Sequence, residues 1–179
     1  MDEDTALYIE YGKTGNPGLF RQLWDKHKKP VLNTILRITD SSRTEAEDLL
    51  QEVFMKVIEN RKKFEPKARF STWLYRLSVN RSFNAVRDRK KTVEADETLE
   101  DPNQTRVVDA LVAKERQQVL QTAMTQLNER QRGALVLREF EDKSYGEIAE
   151  IMESSVEAVE SLLFHARTRL RQLLKGREL

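Results

Sequence analysis

Between Ser144 and Leu174 two helical patterns meet across two residues, and that junction constrains the fold more than any other stretch of the chain. Ser144 and Glu147 have the spacing of an S-x-x-E capping box, and Ile148, Ala149, Ile151 and Met152 follow as an apolar stripe. Glu153-Ser154 reads as the turn. Ser154 and Glu157 then predict a second capping box, with Val156, Val159, Leu163, Ala166, Leu170 and Leu173 recurring at helical spacing behind it. Two capped helices joined so closely form either a helix-turn-helix, whose second helix suits the DNA major groove, or an αα-hairpin within a helical bundle.

The rest of the chain is compatible with an all-α protein. Its 179 residues suffice for one or two small domains, and only six are Gly and four Pro. Pro17 begins a helix carrying Phe20, Leu23, Trp24, His27, Val31, Ile35 and Leu36, with Pro30 expected to kink it and free the carbonyl of Lys26. Asp40-Ser41-Ser42 reads as a loop. A helix from Thr44 to Arg61 is apolar on one side (Leu49, Leu50, Val53, Phe54, Val57) and polar on the other (Glu47, Asp48, Gln51, Glu52, Lys56). Phe64 to Phe70 reads as a basic loop, and Ser71 as the cap of a helix reaching Arg89. Acidic, proline-containing Thr92 to Thr105 reads as a linker. A helix carrying Leu111, Val119 and Leu127 follows, then one capped by Asn128 with Gln131. The expected organisation is two helical domains, 1–91 and 112–179, tethered by a flexible acidic linker over 92–111.

Several functions are excluded or disfavoured. The chain has no Cys, so disulfides, thiolate metal sites and cysteine nucleophiles are ruled out. His27 and His165 stand far apart without carboxylates at ligand spacing, and no glycine loop could cradle a phosphate. No enzyme activity, metal or cofactor is expected. The acidic start (Asp2, Glu3, Asp4) is unlike a signal peptide and no apolar run reaches membrane length, so the expectation is a cytoplasmic protein without membrane insertion.

Charge is segregated although the net charge is only +1. Between Arg61 and Lys91 eleven basic residues face two acidic ones, Glu65 and Asp88; Glu94 to Asp101 is purely acidic; the last helix is basic again from Arg167. Two basic patches suggest a chain that meets a polyanion at two places. On a helical projection Trp73, Arg76, Asn80, Asn84 and Arg87 form one stripe, preceded by Phe64, Lys67, Arg69 and Phe70. Amides for base edges, guanidinium groups for phosphates and aromatics for stacking suit unpaired DNA. Trp73 has a second reading as core.

Glu45-Ala46-Glu47-Asp48-Leu49-Leu50-Gln51-Glu52-Val53-Phe54, Ser71-Thr72-Trp73-Leu74-Tyr75-Arg76 with Asn80, Leu127-Asn128-Glu129-Arg130-Gln131-Arg132, Ser144 to Ala149 and Val159 to Phe164 follow in that order. From Phe20 onward the chain resembles the extracytoplasmic-function sigma factors of bacterial RNA polymerase. That resemblance implies a non-catalytic subunit that binds core polymerase and directs promoter-specific initiation. Glu47, Asp48, Gln51 and Glu52 would dock on the β′ clamp helices. Phe64, Lys67, Arg69, Phe70, Trp73, Arg76, Asn80, Asn84 and Arg87 would melt the −10 element and hold a flipped base. Ser155, Glu157, Ala158, Ser161, His165 and Arg167 would meet the −35 duplex, with the same domain packed on the β flap. An anti-sigma factor would be a partner. Glu157 has two readings, helix cap or base reader, and Arg167 is the expected phosphate anchor. Asn128, Glu160, His165 and Asn84 depart from the commonest family residues, and Glu157 with Glu160 leaves the reading helix poor in positive charge. The competing readings are a sigma-like module that sequesters an anti-sigma factor without reading DNA, and a helix-turn-helix repressor.

Overall fold

The computed structural model describes residues 1–95 and 111–175, which form eight helices and no strand. These are α1 (Glu3–Thr14), α2 (Pro17–Thr39), α3 (Arg43–Asn60), α4 (Phe70–Ala95), α5 (Leu111–Thr125), α6 (Glu129–Glu139), α7 (Tyr145–Ile151) and α8 (Val156–Leu174). Most of the acidic linker expected between the domains lies outside the described residues.

Local signals set most of the helix ends. Asn16 caps α2 through Gly18 N–H, with Pro17 in the first turn. α2 runs unbroken through Pro30, because Val31, Leu32 and Ile35 beyond it are buried and their packing outweighs the missing hydrogen bond. Ser42 and Glu45 form a full capping box on α3, where sequence reading placed only a loop. Asn128 with Gln131 and Ser144 with Glu147 form the boxes expected for α6 and α7.

The second box of the helix-turn-helix is displaced by one residue. Glu153 adopts a left-handed conformation (φ 50°), Ser154 N–H donates to Ala149 O, and Ser155 is the cap that accepts from Ala158 N–H. Glu157 therefore sits in the first turn of α8 outside a reciprocal capping box. The left-handed residue consumes one more position than a two-residue turn allows.

α1 was not anticipated. Asp2 caps it and Gly15 (φ 68°) ends it in the left-handed region that glycine occupies without strain. Its Tyr8 is fully buried, donates its hydroxyl to Val57 O at 2.6 Å, and packs against Phe64, Phe70 and Trp73. Gly12 brings α1 so close to the end of α3 that a Cβ there would collide with Arg61 O.

Two apolar cores result. One joins α1, α2, α3 and the head of α4 through residues such as Tyr8, Leu23, Ile35, Val53 and Leu74. The other combines Met124, Leu135, Leu137, Ile148, Val159 and Leu163 of the C-terminal helices with Ile38, Tyr75, Val79 and Phe83 of the N-terminal half. The two domains thus share a core.

Candidate polymerase and promoter interfaces

The polar side of α3 is presented as expected from its periodicity. Asp48, Gln51 and Glu52 are exposed and Glu47 is half-buried, paired with Arg43 at 2.8 Å. Glu52 is engaged by Arg81 of α4, whose guanidinium holds the Glu52 carboxyl below its ordinary pKa. Beside this acidic ridge lies a groove of about 620 Å³ between α2 and α3, lined by Phe20, Trp24, Gln51, Phe54, Met55 and Ile58. Met55, half exposed along its lining, was not singled out from sequence, although it lies one turn beyond Gln51 and Glu52 on the same face.

The stripe on α4 is divided by the fold. Asn80, Asn84 and Arg87 are exposed, with Arg87 donating to Asn84 Oδ1 at 2.6 Å. Lys67 and Arg69 stand exposed on the preceding loop, Lys67 paired with Glu65 at 2.6 Å. The aromatics are held differently. Phe70 is fully buried and its N–H donates to Thr5 Oγ1 at 2.9 Å, so it anchors the loop and presents no face to a base. Phe64 and Trp73 are half-buried, 5.2 Å apart in an edge-on arrangement, both against Tyr8. Trp73 combines both of its readings, one side in the core and one at the surface. Arg76 faces the C-terminal domain: it donates to Glu150 O at 2.8 Å and lies 3.6 Å from Glu153.

On α8, Ser155, Glu157, Ala158, Ser161 and His165 are exposed, and the apolar stripe of Val159, Leu163 and Ala166 is buried. Glu157 has its pKa lowered by its own backbone N–H and by the Ser155 side chain. Arg167 is half-buried, held by Glu139 at 2.7 Å, with Tyr145 Oη at 3.4 Å. Phe164 is two-thirds exposed on the same side as Ser161 and was missed as a surface residue, since it differs from the buried stripe by only one position. Among the described residues no cluster of His, Asp or Glu could hold a metal ion, and no helix is long and apolar enough to cross a membrane.

Comparison with known proteins adds the family. Residues 23–92 match the Sigma-70 region 2 model and residues 117–170 the Sigma-70, region 4 model. The RNA polymerase sigma-H factor of Pseudomonas aeruginosa is 31% identical over 98% of this chain and 95% of its own. The ECF RNA polymerase sigma-E factor of Haemophilus influenzae is 29% identical over 92% and 91%, and the ECF sigma factor SigW of Bacillus subtilis 27% over 93% and 95%. Among solved structures, CnrH in complex with the cytosolic domain of CnrY aligns over 99% of this chain and all of its own with a TM-score of 0.76 at 22% identity. The sigma factor RpoE of Bartonella quintana, in complex with the anti-sigma factor NepR, aligns over 89% and 98% with a TM-score of 0.67 at 24% identity. Regions 2 and 4 in this order define a promoter-recognition subunit of bacterial RNA polymerase. The chain belongs to the extracytoplasmic-function sigma factors, alternative subunits that direct core RNA polymerase to their own promoters.

Proposed function

We propose that the three exposed surfaces divide the work of initiation. The acidic ridge of Asp48, Gln51 and Glu52, with the groove beside it, docks on the β′ clamp helices of core polymerase: the carboxylates set orientation and the aromatic-lined groove receives an apolar side chain. The observation that carries this assignment is an exposed acidic helix face beside an apolar groove. Lys67, Arg69, Asn80, Asn84, Arg87 and the open side of Trp73 meet the −10 element, the cations on phosphates and the amides on base edges of the separated strand. Ser155, Glu157, Ala158 and Ser161 enter the −35 major groove, Phe164 suits a thymine methyl, and Arg167 contacts phosphate. The same domain packs on the β flap. The chain acts by binding, in the cytoplasm, with no catalytic step of its own. An anti-sigma factor is a further partner, in keeping with the complexes formed by CnrH and by the Bartonella RpoE.

The docking assignment is tested with Asp48→Arg and Gln51→Arg together, which spare the Glu52–Arg81 pair. The expected result is loss of core-polymerase binding at an unchanged melting temperature. A folded double variant that binds core with normal affinity would sink it.

A further inference from the structure

We propose that α1 is the template of the −10 loop, and that Thr5 and Tyr8 are positioning residues for promoter opening although both are buried. The inference rests on the promoter-directing reading above. It gives a task to a helix that precedes the region 2 match, which starts at residue 23.

The loop from 61 to 69 has little to hold its own shape. Arg61, Lys62, Lys63, Lys67 and Arg69 stand on it against the single carboxylate of Glu65. Like charges at that density spread a chain apart. Its backbone bonds, Lys63 N–H to Asn60 O and Lys67 N–H to Glu65 O, join near neighbours and fix no course across the molecule.

The first helix grips this loop at three places. At its start, Gly12 admits the Arg61 carbonyl against α1, the Arg61 guanidinium lies 5.9 Å from the Tyr11 ring centre, and Tyr8 Oη donates to Val57 O. In its middle, Phe64 stands edge-on to Tyr8 with ring centres 4.9 Å apart. At its end, Phe70 N–H donates to Thr5 Oγ1 at 2.9 Å, a buried bond between residues 65 positions apart.

The last grip has a specific chemistry. Phe70 is the first residue of α4, so its N–H has no partner within that helix. Ser71, the cap expected from sequence, lies inside the first turn, and Thr5 supplies the acceptor from another element. The Thr5 hydroxyl in turn donates to Asp2 Oδ2 at 2.6 Å. A hydrogen bond that ends on a carboxylate strengthens the one before it. The start of α4 is thereby registered on α1, and Trp73 with it, its ring centre 5.4 Å from that of Tyr8.

The consequence is geometric. Lys67 and Arg69 stand exposed just before the Thr5 bond, and the half-buried Trp73 just after it. Loosening that bond lets all three wander relative to Asn80, Asn84 and Arg87 farther along α4. A separated strand is held tightly only by groups that are already in register when it arrives. Asp48, Gln51 and Glu52 are not among the residues that α1 grips, so docking on polymerase does not depend on these bonds.

The test uses the full chain with core polymerase, on a promoter selected with the parent chain. Thr5→Val keeps the shape of the side chain and removes the acceptor, whereas Thr5→Ser keeps the acceptor. Below the melting temperature of each variant, Thr5→Val is expected to lower permanganate reactivity of the −10 thymines about tenfold. The affinity of its holoenzyme for a single-stranded −10 oligonucleotide is expected to fall by the same factor. Core affinity and protection of the −35 duplex are expected to stay at parental values, and Thr5→Ser to restore opening. A merely structural Thr5 would lower core binding, −35 protection and opening together, and that parallel loss overturns the proposal. So does parental −10 reactivity in a folded Thr5→Val.

Where Thr5→Val does not fold, Tyr8→Phe decides, because it keeps the ring contacts and loses the bond to Val57 O. Severalfold lower −10 reactivity at parental core affinity supports the template, and parental reactivity overturns it. Those failures leave the promoter-directing reading standing. A parent chain that selects no promoter with core polymerase overturns that reading and this proposal with it.

Discussion

His27 illustrates how little a residue type says without its surroundings. Sequence reading placed it in the apolar pattern of a helix and weighed it as a metal ligand. In the fold its Nε2 lies 2.9 Å from Asp4 Oδ2, and both residues are buried. Burial, the larger influence, holds the imidazole pKa below its ordinary 6.5 despite the neighbouring carboxylate. The unfolded chain then takes up a proton that the folded chain resists, so stability is full above about pH 6.5 and declines as pH falls below it. Urea unfolding at pH 7.5 and 5.5 is expected to show a loss of up to about 1.4 kcal/mol per pH unit from this group, and His27→Gln to flatten the slope. Identical slopes in the two proteins would contradict the assignment. The −10 stripe divides on the same principle. Phe70→Ala should cost about 3–5 kcal/mol and collapse region 2, whereas Asn84→Ala should stay within about 0.5 kcal/mol and show its effect only on promoter melting. Thermal melts beside permanganate footprints separate the two.

At the scale of elements, legibility followed the apolar period. α3, α6 and α7 were readable because their buried residues recur at helical spacing behind polar caps. α1 was not, because its amphipathic contrast is slight and its buried set is Asp4, Thr5, Tyr8 and Tyr11, polar-bearing residues whose burial depends on tertiary bonds such as Tyr8 to Val57 O and Asp4 to His27. The start of α8 was misplaced because either of two adjacent serines could cap it and the left-handed Glu153 decides between them. This has a direct check. Ser155→Ala should lower the stability of region 4 by about 1 kcal/mol and Ser154→Ala by far less. Equal losses in chemical denaturation would restore the register expected from sequence.

At the scale of the molecule, the two-domain organisation was legible from the charge pattern and the order of motifs, but the union of the domains was not. Val79 and Phe83 fall on an apolar face of α4 that any single-domain packing would explain; nothing in the sequence says that Gly133 lies opposite. Because one core spans both halves, the chain is expected to unfold in one calorimetric transition. A fragment ending at residue 95 uncovers Ile38, Val79 and Phe83 and should melt below the intact protein. A fragment melting at the same temperature would show that the shared core adds no stability to region 2.

Tyr8 and Thr5 have their partners far down the chain: Val57, Phe64, Phe70 and Trp73. During synthesis α1 is made before them, and although Tyr11 can meet Phe20 of α2 early, Tyr8 lacks its main aromatic neighbours until the head of α4 is made. At about 5–20 residues per second that interval lasts several seconds. Over that time Tyr8 of α1 is incompletely covered, open to chaperones and proteases, and the ribosome rather than the finished fold determines how long it stays so. Damage to α4, even at a position that never meets DNA, then acts as a failure to shelter α1.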